Sequence, residues 1–124
     1  MGLIVQKFGG TSVADANRIR RVAEIITYKK GNKVIAVVSA QGDTTDDLID
    51  MASRINPQAS NREMDMLLST GEQISASLCA MAIEALGYPV ISLTGWQAGV
   101  ITNTVSRNAR IKRVDTERIE AELN

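Results

Sequence analysis

The sequence predicts an α/β protein with a mostly parallel sheet and helices on both faces of that sheet. Two short apolar runs, residues 3–6 and 34–38, have the length and β-branched content of buried strands. Between them, residues 14–28 repeat apolar side chains at helical spacing. A strand, a helix and a strand joined by short links form a βαβ unit, which implies a parallel strand pair.

Composition excludes several classes of protein. The chain has 124 residues, 44% hydrophobic and 23% charged, which fits one soluble domain. Fourteen basic residues balance fourteen acidic ones without a basic stripe, so we expect neither nucleic acid nor membrane as a partner. Histidine is absent and Cys79 is the only cysteine, so we expect no histidine-dependent nucleophile, no disulfide and no metal site in the chain.

The N-terminus lacks the pattern of a signal peptide. No uninterrupted apolar run approaches the ~20 residues that a membrane span needs. We therefore expect a cytoplasmic protein.

The first loop, residues 6–12, follows the first predicted strand and contains Gly9 and Gly10. Glycine bares the backbone N–H groups, and a helix that starts after such a loop presents its positive end there. Because Lys7 adds a fixed cation, this loop is predicted to bind an anion, typically a phosphate. The alternative is a tight turn with a surface lysine, since a lysine before the glycines is not the P-loop order.

The second loop, residues 39–45, consists mainly of small residues and follows the second predicted strand. Ligands of open α/β sheets bind outside the carboxyl ends of the strands, so this loop is predicted to lie beside the first loop. Asp43 or Thr44 is predicted to cap the next helix, residues 46–54. Capping is compatible with a binding role for the other residues of the loop.

A long helix is predicted to begin at Ser60, which with Glu63 matches a capping box. Gly71 lies inside this helix, where glycine costs roughly 1 kcal/mol relative to alanine. Two accounts stay open. In the first, Gly71 marks a kink or a helix–helix contact and Glu72 is exposed. In the second, Gly71 admits a ligand or breaks the helix, and Glu72 faces the ligand site.

The last third of the chain is predicted to form four short elements: a strand at 90–93, a hairpin of strands at 100–104 and 109–114, and a helix at 116–123. Asp115 is predicted to cap the last helix. Trp96 lies in a third loop and is interpreted as a partly buried anchor of that loop, with a lid or a subunit contact as the alternatives.

Taken together, these motifs resemble those of the aspartate kinase branch of the amino acid kinase family. Each motif alone is modest, but their order and spacing match the family across nearly the whole chain. The matching segments are residues 7–13 (Lys-Phe-Gly-Gly-Thr-Ser-Val), 37–46, 63–75, 94–99 and 108–111.

The resemblance implies transfer of the ATP γ-phosphoryl group to the β-carboxylate of L-aspartate, giving 4-phospho-L-aspartate for lysine, threonine and methionine biosynthesis. It also implies Mg²⁺, brought with the nucleotide. By resemblance, the ATP phosphates meet Lys7, Phe8, Gly9 and Gly10. Lys7 is then the catalytic residue that stabilises the transferring group. The aspartate site is implied to contain Ser39, Thr45 and Glu72, with Glu72 meeting the ammonium group.

The implied chemistry fits the composition. A carboxylate nucleophile is already ionised at pH 7, so no histidine base is needed. The obstacle is repulsion between two anions, which a lysine, backbone N–H groups and Mg²⁺ offset. Glu72 lies in an otherwise apolar helix, and the resemblance gives it a charged partner, the ammonium group of the substrate.

The resemblance covers only the N-terminal, substrate-side portion of the kinase domain, residues 1–124. The nucleotide half and the ACT regulatory domains of the family are absent, so we expect an inactive fragment with an exposed sheet edge and an uncovered apolar face. Such surfaces favour a homo-oligomer. Two alternatives stay open: a non-catalytic module that binds an anion or a partner chain, and another acyl-phosphate-forming amino acid kinase.

Overall fold

Strands β1 (Leu3–Phe8) and β2 (Lys33–Val38) pair in parallel along their whole length, from Leu3 opposite Lys33 to Phe8 opposite Val38. Helix α1 (Ala16–Thr27) connects them. The predicted βαβ unit is therefore confirmed. The structure is a computed structural model and describes residues 2–28, 31–103 and 109–124.

Helix α1 begins two residues later than predicted, because a 3-10 turn at Gly10–Val13 comes first. Asp15 is the N-cap of α1, and its carboxylate accepts a 2.8 Å hydrogen bond from the Arg18 backbone N–H. A carboxylate at this position satisfies a donor that the helix itself leaves unpaired.

Helices α2 (Thr44–Ile55) and α3 (Asn61–Ala85) follow β2. Asp43 occupies the N-cap position of α2, as predicted, but its side chain makes no capping hydrogen bond. The Ser60 side chain accepts a bond from the Glu63 backbone N–H at 3.3 Å, so the predicted start of α3 is confirmed. Helix α3 continues through Gly71 without a break.

The core lies between α1, α3 and one face of the sheet. Its buried members are Val13, Ile19, Val22 and Cys79, with Phe8 and Val38 of the sheet packed against them. Burial raises the pKa of the Cys79 thiol by desolvation. Cys79 is therefore a small apolar core residue, as expected from an apolar helical segment.

The opposite face of the sheet carries exposed apolar side chains. Alternation along β1 puts Ile4 and Phe8 on the covered face, while Leu3 and Val5 on the other face are 58% and 64% exposed. Val37, beside Lys7 in the strand pairing, is also exposed. An incomplete α/β sheet with an uncovered apolar face is thus confirmed.

Strands β3 (Val100–Thr102) and β4 (Ile111–Val114) form the predicted antiparallel hairpin, whose connection at residues 104–108 lies outside the described residues. Helix α4 (Glu117–Leu123) follows. The N-cap of α4 is Thr116, not Asp115 as predicted, although the Asp115 carboxylate accepts a 3.1 Å hydrogen bond from the Glu117 N–H just before the helix.

Two predictions for the segment before this hairpin are wrong. Residues 90–93 are not a strand, because a strand needs a hydrogen-bonded neighbour and the described parallel sheet contains only β1 and β2. Trp96 is 79% exposed and so does not anchor its loop by burial.

Helix α3 has the length and apolar composition that could cross a membrane, a test that core helices of soluble proteins also pass. It packs against α1 and α2, which explains the apolar residues on its inner side. Its outer side also carries exposed apolar residues, including Ile74 and Met81.

We predict that the exposed sheet face causes self-association. Replacing Leu3 and Val5 together by threonine should retain the strand, because threonine is β-branched, and should weaken self-association at least about fivefold. Sedimentation velocity over a concentration series measures the effect. Ile55→Thr, at an exposed apolar position on α2, is the matched control. Equal weakening by the control would contradict a role for the sheet.

Candidate functional site

The first and second loops are joined by two backbone hydrogen bonds. The Ser39 N–H donates to the Phe8 carbonyl at 3.1 Å, and the Gly42 N–H donates to the Gly10 carbonyl at 2.9 Å. The carboxyl ends of the two parallel strands therefore lie side by side, as predicted for these loops.

Gly10 is needed for the close approach of the two loops. A Cβ atom at Gly10 would lie 2.7 Å from the Ala40 carbonyl oxygen and 3.3 Å from the Gly42 nitrogen. Gly9 differs, because a Cβ there would meet nothing within 4 Å and its φ of −76° suits any residue. Gly10 thus serves packing, while the backbone at Gly9 faces open space.

Helix α3 meets the second loop at Gly71. A Cβ atom at Gly71 would lie 2.8 Å from the Ala40 Cβ and 3.7 Å from the Thr44 Cγ2. Gly71 therefore marks a packing contact of α3 with the second loop and the start of α2, without a kink, and Glu72 beside it is exposed. Glu72 is the next residue after Gly71, through which α3 contacts the second loop.

The predicted site residues thus lie on three elements that converge at Ala40. Lys7, Phe8, Gly9 and Gly10 belong to β1 and the first loop. Ser39 directly precedes Ala40, Thr45 lies in the first turn of α2, and Glu72 follows Gly71 in α3. Ser39 and Thr45 are half-buried.

Lys7 and Glu72 are the charged members of this set, and both are exposed. Among the residues that the structure describes, neither side chain has an ion-pair or hydrogen-bond partner. An exposed charge is stable in water without a partner, so both groups are available to a ligand.

The predicted anion-binding loop, residues 6–12, differs in one respect from the prediction. The helix that directly follows Gly9 is the 3-10 turn, not α1, and the amino end of α1 is occupied by the Asp15 carboxylate. Within the turn, the first backbone donor is the Ser12 N–H, which bonds the Gly9 carbonyl at 3.1 Å. The N–H groups of Gly10 and Thr11 precede it and have no partner inside the turn.

Two side chains that support the first loop were not predicted. Arg18 donates from Nη1 to the Thr11 carbonyl at 2.7 Å, and Gln41 donates from Nε2 to the Val13 carbonyl at 3.0 Å. The spacing of Asp15 and Arg18 could have indicated a local pair. Gln41 gave only a weak signal, as the one long side chain among small loop residues.

A groove of about 550 Å³ lies elsewhere, between β1, β2 and α1. Ile4, Gln6 and Tyr28 are among its lining residues, and none of the predicted site residues borders it. The Gln6 Oε1 atom is buried there without a hydrogen-bond partner among the described residues. Ala40, where the three elements meet, is buried and does not line this groove.

We predict opposite outcomes for alanine at the two glycines. Gly10→Ala should lower the free energy of unfolding by about 1–3 kcal/mol, because the methyl group would collide with the backbone of the second loop. Gly9→Ala should leave stability within about 0.5 kcal/mol, because it meets open space. Urea unfolding measures both. Equal losses for the two variants would contradict the packing described here.

Comparison with known proteins gives the relatives of this chain. Residues 2–124 match the sequence profile of the amino acid kinase family. The chain is 57% identical to the aspartokinase of Bacillus sp. strain MGA3 over all of its own length and 31% of that protein. It thus spans less than a third of the length of this curated relative.

Two solved structures resemble the fold. The crystal structure of aspartate kinase from Synechocystis matches with a TM-score of 0.82 and 47% identity, over 97% of this chain and 20% of that one. E. coli aspartokinase III in complex with lysine and aspartate matches with a TM-score of 0.73 over 89% of this chain and 35% of that one. At 19% identity, the second likeness shows the fold alone.

Proposed function

Because the chain belongs to the amino acid kinase family, we propose that it is the substrate-side part of an aspartate kinase. The whole enzyme transfers the γ-phosphoryl group of ATP to the β-carboxylate of L-aspartate, giving 4-phospho-L-aspartate for lysine, threonine and methionine biosynthesis. The observation that carries this proposal is the convergence of the first loop, the second loop and α3 at Ala40. Identity of 57% with an aspartokinase over the whole chain supports it.

On the phosphate side, Lys7 and the backbone of Phe8, Gly9 and Gly10 bind the transferring end of ATP. The nucleophile is a carboxylate that is ionised at pH 7, so the reaction needs no general base. The barrier comes from bringing two anions together. A lysine ammonium and backbone N–H groups lower that barrier by opposing the negative charge as it develops.

On the amino acid side, Ser39, Thr45 and Glu72 hold L-aspartate. The two hydroxyl groups can donate to carboxylate oxygens, and the Glu72 carboxylate can accept from the α-ammonium group. Because the second loop, the start of α2 and α3, which carry these three residues, pack together around Ala40 and Gly71, the amino acid is held next to the phosphate-side loop. Positioning of this kind is a main source of rate acceleration in phosphoryl transfer.

Mg²⁺ reaches this site with ATP. No cluster of three or more His, Cys, Asp or Glu side chains is present among the described residues, so they do not fit a protein-built metal site. The adenine-binding half, and any regulatory domains, belong to other parts of the whole enzyme. We further propose that this enzyme is cytoplasmic and forms a homo-oligomer.

The role of Glu72 predicts how the chain selects its ligand. L-aspartate should bind about tenfold more tightly than N-acetyl-L-aspartate, which lacks the ammonium group, and Glu72→Gln should remove that preference. Isothermal titration measures both affinities. Glu84→Gln, an exposed glutamate elsewhere on α3, is the matched control. Equal binding of the two ligands to the unsubstituted chain would favour a kinase for N-acetylated amino acids or a general anion-binding module.

The role of Lys7 predicts a loss of rate without a loss of aspartate binding. In a full-length enzyme that contains this segment, Lys7→Ala should lower phosphoryl transfer at least about 100-fold, the effect of removing one transition-state donor. The dissociation constant for L-aspartate should change less than about twofold, a difference of about 0.4 kcal/mol. A coupled assay of ADP release measures the rate, with Lys112→Ala on β4 as the matched control. Activity within a few-fold of the original would refute the catalytic role.

A further inference from the structure

Gln41 links the second loop to the first by a side-chain hydrogen bond across 28 residues of sequence. Its Nε2 atom donates to the Val13 carbonyl at 3.0 Å, in a half-buried setting. The next residue, Gly42, donates its backbone N–H to the Gly10 carbonyl at 2.9 Å. Two adjacent donors therefore hold both ends of the 3-10 turn Gly10–Val13.

The backbone around Gln41 is set for this contact. Gly42 has a φ of +40°, in the left-handed region that favours glycine, so the chain can turn sharply and aim both donors at the first loop. The Gln41 carbonyl also accepts a 2.8 Å hydrogen bond from the Thr44 N–H, at the start of α2. Gln41 thus joins the 3-10 turn to the beginning of α2.

The residue that accepts this hydrogen bond, Val13, is held in place by the core. Val13 is fully buried and belongs to the core cluster with Val22 and Cys79. Among the described side chains of residues 39–45, only that of Gln41 donates to the 3-10 turn Gly10–Val13. The side chain therefore sets the separation between the second loop and a rigid part of the core.

We propose that Gln41 is a positioning residue that couples the two ligand loops, an inference that rests on the proposed function. If the Gln41 hydrogen bond joins the two loops, a polyphosphate that orders the first loop also orders the second loop, which holds the amino acid. It also keeps the reacting groups within the narrow range of separations that phosphoryl transfer requires. Gln41 acts through the Val13 carbonyl and touches neither ligand.

The first part of the test measures the tie itself by amide hydrogen exchange. Gln41→Met retains the length of the side chain without a donor, and Gln41→Glu retains its shape with acceptors only. In both variants the Gly42 and Ser12 amides should exchange at least about tenfold faster, while core amides change less than about twofold. Gln58→Met, in an exposed turn, is the matched control. Unchanged exchange at Gly42, or an equal rise in the core, would overturn the proposal.

The second part measures the coupling. The affinity for L-aspartate is titrated with and without saturating sodium tripolyphosphate, and the ratio of the two affinities is compared between the original chain and Gln41→Met. Repulsion between bound L-aspartate and bound tripolyphosphate acts in the original chain and in the variant alike. A difference in the affinity ratio between the two proteins therefore reports the effect of the Gln41 hydrogen bond. We expect the ratio to differ about fivefold or more, the lower end of typical coupling between sites.

A merely structural role would weaken both titrations equally and leave the ratio unchanged, which would overturn the proposal. Absence of L-aspartate binding to the original chain would instead overturn the proposed function. In that event the exchange rates at Gly42 and Ser12 still decide whether Gln41 ties the loops.

Discussion

The close approach of three backbones at Ala40 is the constraint on which the candidate site depends. Ala40 is buried, with Gly10 on one side and Gly71 on the other. Neither glycine has room for a methyl group, so the first loop, the second loop and α3 can meet only because these two side chains are absent. Packing of this kind is rigid, because interiors are close-packed and respond to a change of one methyl group.

The elements that meet at Ala40 also carry two exposed charged groups that are not paired with each other. Lys7 and Glu72 come from different elements, and within the described part of the chain neither has an ion-pair partner. Solvent stabilises both charges, so the fold does not need a mutual ion pair. In the proposed function, Glu72 meets the ammonium group of an amino acid and Lys7 meets an anionic phosphate.

Much of the candidate site was predictable because strands of a parallel pair end at the same edge of the sheet. The short apolar runs located the strand ends, and this was enough to predict that the loops after β1 and β2 lie side by side. The contact at Gly71 was not predictable, since a glycine inside a helix is compatible with a kink, a packing contact or a ligand. The Gln41 bond to Val13 was also hidden, because it joins residues that are distant in sequence.

Side-chain patterns in the sequence were enough to predict the local elements: the two paired strands, the helices, and the cap at Ser60. These depend on side-chain periodicity and on hydrogen bonds within a few residues, which a sequence displays directly. The tertiary structure decided whether residues 90–93 join a sheet, where Trp96 lies, and which backbone each glycine contacts. Those outcomes depend on which segments become neighbours in space, since a strand exists only beside a partner and a side chain is buried only by what packs over it.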